Sequence, residues 1–419
     1  MKHPARWMRS LLKSLKNKTD NMKNSPYAGC AIVLLLIVAA CHRPSPDGFV
    51  LTGTLKGFSA GGAKLAVAND SDRTEKVVDS VAFTDGKFIL KGKAPISRMM
   101  TLTIEPGAWS LPVFVENGSI SVQADTVGSS YYDWTAYHGS KGAVIKHYQV
   151  SGSVSHADWL AYQDDPGLKR YDTTIDRFAS GIESAKNKDD EYAARDNVDS
   201  VYKLKYRLQK DWISQYITKH PASGVGLYLF HDYYLFNGTI PPQDMEAVLT
   251  KFSDSVHAEP TYLYLRNMLD RRKALEPGNP APDFTLLRKD STTFTLSSTR
   301  GHYQMIDFWA SWCYPCRKAI PHWKEVYDRY HAKGFDIVSV TDDNNWKLWF
   351  TAMDKEKMPW TQVADEFPYP MRPARVGELY MSQYIPFYVL LDPQGKIVLY
   401  NPTEAEMDKK LAEIFDRRL

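Results

Sequence analysis

Hydrophobic and polar positions alternate with a period of two through much of residues 48–126. The stretches "VLTGTLKG", "AKLAVAN", "KVVDSVAFTDGKFILKG", "MMTLTIEP" and "LPVFVENGSISVQA" are short, rich in Val, Ile, Thr and Phe, and separated by Gly, Pro or Asn. Half-buried strands give this pattern, because successive side chains point to opposite faces. Asp85-Gly86, between "VAFT" and "KFIL", is a strong signal for a two-residue hairpin. The segment predicts a small antiparallel sheet or sandwich.

Over residues 127–275 the period lengthens to that of a helix. Val201, Leu204, Leu208 and Trp212 recur at helical spacing, Ile213, Tyr216 and Ile217 extend the stripe, and Pro221 ends it. Pro242, Met245, Val248, Leu249 and Phe252 mark a second helix. The aromatic run Tyr228, Phe230, Tyr233, Tyr234 and Phe236 is accounted for by packing inside a helical region, so it is assigned no function.

Pro277, Pro280 and Pro282 set a boundary, since dense proline resists both helix and strand. Beyond it strands and helices alternate. Strands "DFTLL", "TFTLS" and "YQMIDFW" precede a helix over about residues 315–332, and "FDIVSV" follows. Helices are expected near 344–355 and 374–382, then strands "FYVLLD" and "KIVLY" around a "PQG" turn, then a helix from about 403. This order implies an α/β layer with a mixed sheet over residues 276–419. The fold class is multidomain: an N-terminal antiparallel β domain, a helical middle region and a C-terminal α/β domain.

The first forty residues stand apart. A basic segment (Arg6, Arg9, Lys13, Lys16, Lys18, Lys23) leads into "AIVLLLIVAA" and then Cys41, the layout of a secretory signal whose apolar run is short for a membrane span. "VAAC" at 38–41 resembles a lipoprotein signal box, in which small residues precede a cysteine that becomes lipidated. Residues 1–41 are therefore read as signal and lipidation site, with Met22 as an alternative start and "HRPSPDG" as a tether. Acyl chains on Cys41 place the protein in the cell envelope, anchored to a membrane and facing the periplasm.

Charge and cysteines change meaning once that segment is set aside. Residues 1–40 hold seven Lys/Arg and one Asp, so a chain of net charge +3 becomes −3 without them. No basic cluster remains to displace counterions from nucleic acid, and nucleic acid is excluded as a partner. Of four cysteines, Cys30 lies in the signal and Cys41 in the anchor. Cys313 and Cys316 are left with each other, in an exported setting where cysteines pair.

A Cys-x-x-Cys pair serves either a zinc site or redox chemistry. Zinc needs two more ligands, and His302, His322 and His331 do not supply the usual spacing, so no metal is expected. A pair that follows a strand and opens a helix favours redox chemistry. Pro315 suits the first helical turn, which puts Cys313 at a helix N-terminus. Free N–H groups and the helix dipole there favour the thiolate, the attacking species, with Cys316 one turn on as resolving thiol. Asp307, six residues earlier in an apolar strand, is expected to be buried with a raised pKa and to accept a proton as a general base. Ile385-Pro386 stands before a strand, where a proline without an N–H is tolerated.

"PAPDFTL", "IDFWASWCYPCRKAIP", "IVSV" and "YIPFYVLLDPQGKIV" together resemble the thioredoxin superfamily, and within it the membrane-anchored TlpA/ResA type. The resemblance covers about residues 276–419. It implies a thioredoxin fold, with Cys313 as nucleophile, Cys316 as resolving thiol, Asp307 as the buried acid and Pro386 as a cis-proline facing the disulfide. It also implies that Trp312, Tyr314, Pro315, Ile385 and Pro386 form the surface that meets an extended substrate, with Ile385 offering backbone hydrogen bonds. The redox-active disulfide is then the whole of the cofactor. Partners are protein disulfides and a membrane electron donor. Ala319 stands where many such proteins carry Glu, and Tyr314 replaces a commoner Gly or Glu. Residues 48–275 resemble the uncharacterised β domain and helical linker that precede such domains in lipoproteins. Peroxiredoxins share the "PAPDF" opening, but their PxxxTxxC context is absent. The expected activity is extracytoplasmic reduction of disulfides in exported proteins. The alternatives are a disulfide oxidase or isomerase, or a scaffold whose N-terminal regions carry the function.

Overall fold

The computed structural model describes residues 47–68, 74–135, 140–236, 240–367 and 374–416. The signal segment and the lipidation site expected at Cys41 lie outside the described residues. Ten strands come first: β1 (Phe49–Lys56), β2 (Ala60–Ala68), β3 (Glu75–Thr84), β4 (Lys87–Gly92), β5 (Arg98–Glu105), β6 (Trp109–Val115), β7 (Gly118–Asp125), β8 (Ser130–Asp133), β9 (Lys141–Val144) and β10 (His147–Ser151). They form one sheet in the order β10-β7-β1-β4-β3-β2-β5-β6-β9-β8. The sheet curls around a single core that includes Phe49, Leu51, Leu65, Leu90, Leu102 and Ile104.

Two details differ from the sequence expectation. Strands continue to Ser151 rather than stopping near residue 126, because β8 to β10 are only four or five residues long and show almost no apolar alternation. The sheet is mixed rather than purely antiparallel: β1 runs parallel to β7, and β6 parallel to β9. The hairpin at Asp85-Gly86 has both turn residues at positive φ, 54° and 64°, as its turn type demands.

Six helices follow: α1 (Val154–Gln163), α2 (Pro166–Glu183), α3 (Lys188–Lys219), α4 (Gly224–Phe236), α5 (Pro242–Leu249) and α6 (Pro260–Ala274). Val201, Ile213 and Ile217 are buried on α3 as the stripe predicts, whereas Leu204 is exposed. Phe230 and Tyr234 are core residues of this region, with Tyr228 and Tyr233 packed against them. Strand alternation ties sheet to helices: on β6, Val113 and Val115 face the sheet's core, while Phe114 between them enters the helical core. The main chain of α4 comes so close to the sheet that a Cβ on Gly224 would lie 1.7 Å from the Ser97 carbonyl oxygen. The α2–α3 hairpin extends past this core with a small cluster of its own, built from Ile175, Val198 and Val201.

The C-terminal domain comprises β11 (Thr285–Leu287), β12 (Thr293–Thr295), β13 (Tyr303–Trp309), α7 (Tyr314–Tyr330), β14 (Phe335–Thr341), α8 (Trp346–Glu356), β15 (Thr361–Ala364), α9 (Arg375–Leu379), β16 (Phe387–Leu391), β17 (Ile397–Tyr400) and α10 (Glu404–Phe415). Its sheet runs β12-β11-β15-β14-β13-β16-β17, with β13, β14 and β15 parallel and β16 antiparallel to β13. β13 is an interior strand, between β14 and β16, and is buried along nearly its whole length. β15 is unexpected from sequence, since four residues behind "KMPW" carry no legible period. Helix α9 is shorter than the predicted 374–382. The domain is joined to α6 by the Arg272 guanidinium, 3.7 Å from the Tyr400 ring centroid, and by Arg271, whose Nη2 donates to the Glu378 carbonyl at 2.7 Å.

Candidate active site around Cys313 and Cys316

Strand β13 ends at Trp309, and a three-residue link, Ala310 to Trp312, delivers the chain to α7. Asp343 fixes that link: its carboxylate accepts from the Ser311 N–H at 2.7 Å, the Ser311 hydroxyl at 2.6 Å and the Thr341 hydroxyl at 2.6 Å. Cys313 then caps α7, with its Sγ accepting the Cys316 N–H at 3.2 Å. A sulfur in this position meets an otherwise unpaired helix N–H and the positive end of the helix dipole. Cys313 and Cys316 form a disulfide with Cα atoms 5.3 Å apart.

Both cysteines are buried among Trp309, Ala310, Ile320 and Trp349, and Ile385 packs against the same cluster. The Ile385–Pro386 bond is cis. Two elements remote in sequence, the start of α7 and the loop entering β16, thus meet at the disulfide. Trp312 is 62% exposed beside it. It borders a cleft of about 380 Å³ shared with Phe308, Asp342, Asp365, Tyr384 and Ile385. Tyr314 and Pro315 are half-buried at the first turn of α7.

Asp307 lies on β13 between Met305 and Trp309, which point to the same face of the strand. Met305 packs with Ala319 and Trp323 of α7, and Trp309 with Cys316, so the Asp307 carboxyl lies on the face that α7 covers. Burial pushes its pKa up from 3.8 to about 7, although the Ser339 hydroxyl, donating at 2.6 Å, works in the opposite direction. Ser339 Oγ accepts in turn from Trp360 Nε1 at 2.8 Å. Ala319, at the position noted as Glu in many relatives, is buried against this layer and offers no acid.

Sequence reasoning passed over several acidic residues. Asp343 is visible only as part of "TDDNN", with nothing to mark it as the anchor of the cysteine loop. Asp342 beside it has its pKa pushed up to about 6 by burial, then by Asp365 and Asp343. Asp365 follows the unforeseen β15 and accepts from the Val376 and Gly377 N–H groups at the start of α9. Among the described residues no group of three or more His, Cys, Asp or Glu is placed to hold a metal. His322 instead contacts Asp408 at 3.0 Å, and His331 Nδ1 lies 3.0 Å from the Phe335 carbonyl oxygen.

Comparison with known proteins matches residues 276–414 to the Redoxin family and residues 49–159 to a domain of unknown function (DUF4369). The thiol-disulfide oxidoreductase ResA of Oceanobacillus iheyensis is 31% identical over 145 residues, which are 32% of this chain and 70% of that protein. ResA of Bacillus subtilis is 25% identical over 127 residues, 30% of this chain and 68% of its own. The thioredoxin domain of a thiol-disulfide oxidoreductase from Bacteroides vulgatus aligns over 34% of this chain and 99% of its own, at 28% identity and a TM-score of 0.31. The chain belongs to the ResA-like thiol-disulfide oxidoreductases of the thioredoxin superfamily.

Proposed function

We propose that this oxidoreductase works outside the cytoplasm, held to a membrane through Cys41, and reduces disulfides of exported proteins. The observation that carries the reading is the placement of Cys313 Sγ on the first turn of α7, next to the cis Ile385–Pro386 loop and with a carboxyl of near-neutral pKa on the strand below. The lipid anchor rests on the "VAAC" sequence alone. Among the described residues no helix is long and apolar enough to cross a membrane.

In the reduced protein the Cys313 thiolate attacks one sulfur of a substrate disulfide. A mixed disulfide forms and the substrate's other sulfur leaves as a thiolate. The substrate strand lies along the Ile385 backbone and over Trp312, Tyr314, Pro315 and Pro386, pairing as an added strand. Cys316 then loses its proton to the Asp307 carboxylate and attacks Cys313 Sγ, releasing the second substrate sulfur. Each turnover moves two electrons to substrate and leaves the Cys313–Cys316 disulfide, so a thiol or quinol reductant associated with the membrane must restore the dithiol. No further cofactor enters the cycle.

Insulin reduction by the pre-reduced protein tests this reading. Cys313→Ala abolishes it; a variant that kept full activity would remove Cys313 from the mechanism.

A further inference from the structure

The α2–α3 hairpin reaches the redox site. Its far end, where α2 closes at Glu183 and α3 opens at Lys188, sets Asp189 against α7. The Asp189 carboxylate accepts from the Tyr314 hydroxyl at 2.5 Å and from Lys318 Nζ at 3.0 Å. One turn along α3, Tyr192 stacks on Tyr314 with ring centroids 4.8 Å apart and planes 24° from parallel. Tyr314, one of the two residues between the cysteines, is therefore held by a segment more than a hundred positions away.

We propose that Asp189 is a positioning residue of the redox site: docked on Tyr314 and Lys318, the hairpin tip lowers the thiolate fraction of Cys313, and its release raises it. The inference rests on Cys313 being the attacking thiol. The physical reason is charge. A lysine on the first turns of α7 adds to the field that favours an anion at the helix N-terminus, and an aspartate bound to that lysine cancels it. Three of the other charged groups nearby are already committed. Arg317 is paired with Glu356 at 2.6 Å, Lys324 donates to the Glu356 carbonyl, and Asp343 is held by Ser311 and Thr341. Asp307 lies under α7, Asp342 lines the cleft, and Asp196 on α3 also faces Lys318. The three docked groups agree in direction: Asp189 is held below its usual pKa by Tyr314 and Lys318, and both of these hold their protons more tightly beside it.

The contact is built to open. The Lys318 and Asp189 side chains are 68% and 70% exposed, so water competes for both and the pair is weak. The arm carries its own small apolar cluster, built from α2 and α3 residues alone. By linkage, whatever docking does to the thiolate the thiolate does to docking, so reduction of the disulfide loosens the tip. A partner that draws the arm away would sharpen the nucleophile without touching it.

The test is the pH profile of Cys313 alkylation by iodoacetamide in the reduced full-length protein, with the modified peptide followed by mass spectrometry. Asp189→Asn is expected to lower the midpoint by about half a unit, a roughly threefold gain in rate below it, the size expected for one charge removed across solvent. Asp189→Glu restores the wild-type profile, Tyr314→Phe moves it the same way by less, and Lys318→Gln removes most of the effect of Asp189→Asn. Profiles of wild type, Asp189→Asn and Tyr314→Phe that superimpose overturn the inference. Tyr314→Phe leaves the arm's own residues intact and decides the matter even if Asp189→Asn disturbs α3. A Cys313 that neither titrates nor alkylates would instead count against the attacking-thiol reading.

Discussion

Asp307 on β13 and Ser339 on β14 face each other across the centre of the sheet, with the serine hydroxyl donating to the carboxylate at 2.6 Å. The bond partly offsets a burial that raises the carboxyl pKa to about 7. Such a group exchanges its proton near neutrality, as a base for Cys316 requires. Asp307→Asn is expected to slow resolution of the mixed disulfide about tenfold or more at pH 7. Rapid-quench trapping with a model disulfide checks this through the lifetime of the intermediate.

The same carboxyl makes a stability prediction with a definite sign. Between pH 3.8 and about 7 the folded chain keeps a proton that the unfolded chain has released. Stability therefore falls as pH rises through this window and levels off above it. Asp307→Asn removes that slope and stabilises the C-terminal domain above pH 7, by at most about 4 kcal/mol at 1.36 kcal/mol per unit. Urea unfolding of the domain at pH 5 and pH 8 reads the difference.

His156 gives a slope of opposite sign in the N-terminal half. It is 1% exposed, its Nδ1 accepts the Phe114 N–H at 3.3 Å, and burial lowers its pKa from 6.5 to about 4. The unfolded chain binds a proton first, so stability is lost as pH falls from 6.5 to 4, by about 3 kcal/mol in full. His156→Gln flattens this loss, which unfolding followed by tryptophan fluorescence across that range detects.

Gly224 tests how the helices hold the sheet. An alanine methyl there meets the Ser97 carbonyl, and the obstacle is backbone on both sides. Gly224→Ala is expected to cost about 1–3 kcal/mol through forced separation of α4 from the sheet, measured as a lowered denaturant midpoint. A neutral substitution would mean that the close approach does not contribute to stability.

Cys316→Ala leaves Cys313 able to form a mixed disulfide and unable to release it. Envelope extracts passed over this variant are expected to yield proteins eluted by dithiothreitol, absent when Cys313→Ala is added. Equal capture by the double variant would remove the covalent step from the interaction.

The redox centre was largely legible in sequence because its parts are contiguous or carry strong local signals. "WCYPC" behind an apolar strand fixes a helix start, and Ile385-Pro386 before "FYVLL" fixes a strand entry. Asp307 stood out because a carboxylate among "MI" and "FW" is costly in an apolar strand, although a strand-end Asp would read the same way. What escaped depends on distance along the chain. Asp343 and Asp365 gain their roles from turns made by β14 and β15, and β15 is too short to show a period. Asp189 lies in an ordinary charged first turn, "KDDE", and nothing local reveals that Tyr314 is its neighbour. The length of the β region was missed for a related reason: β8 to β10 are edge and near-edge strands with little apolar face to betray them.

Whether Cys313 and Cys316 give electrons to substrate disulfides is read from the equilibrium reduction potential of the pair, measured by alkylation of the full-length protein across a dithiothreitol series. A value near that of thioredoxin, about −270 mV, is the predicted result. A value near about −120 mV, that of a strong disulfide donor, would contradict the reducing direction.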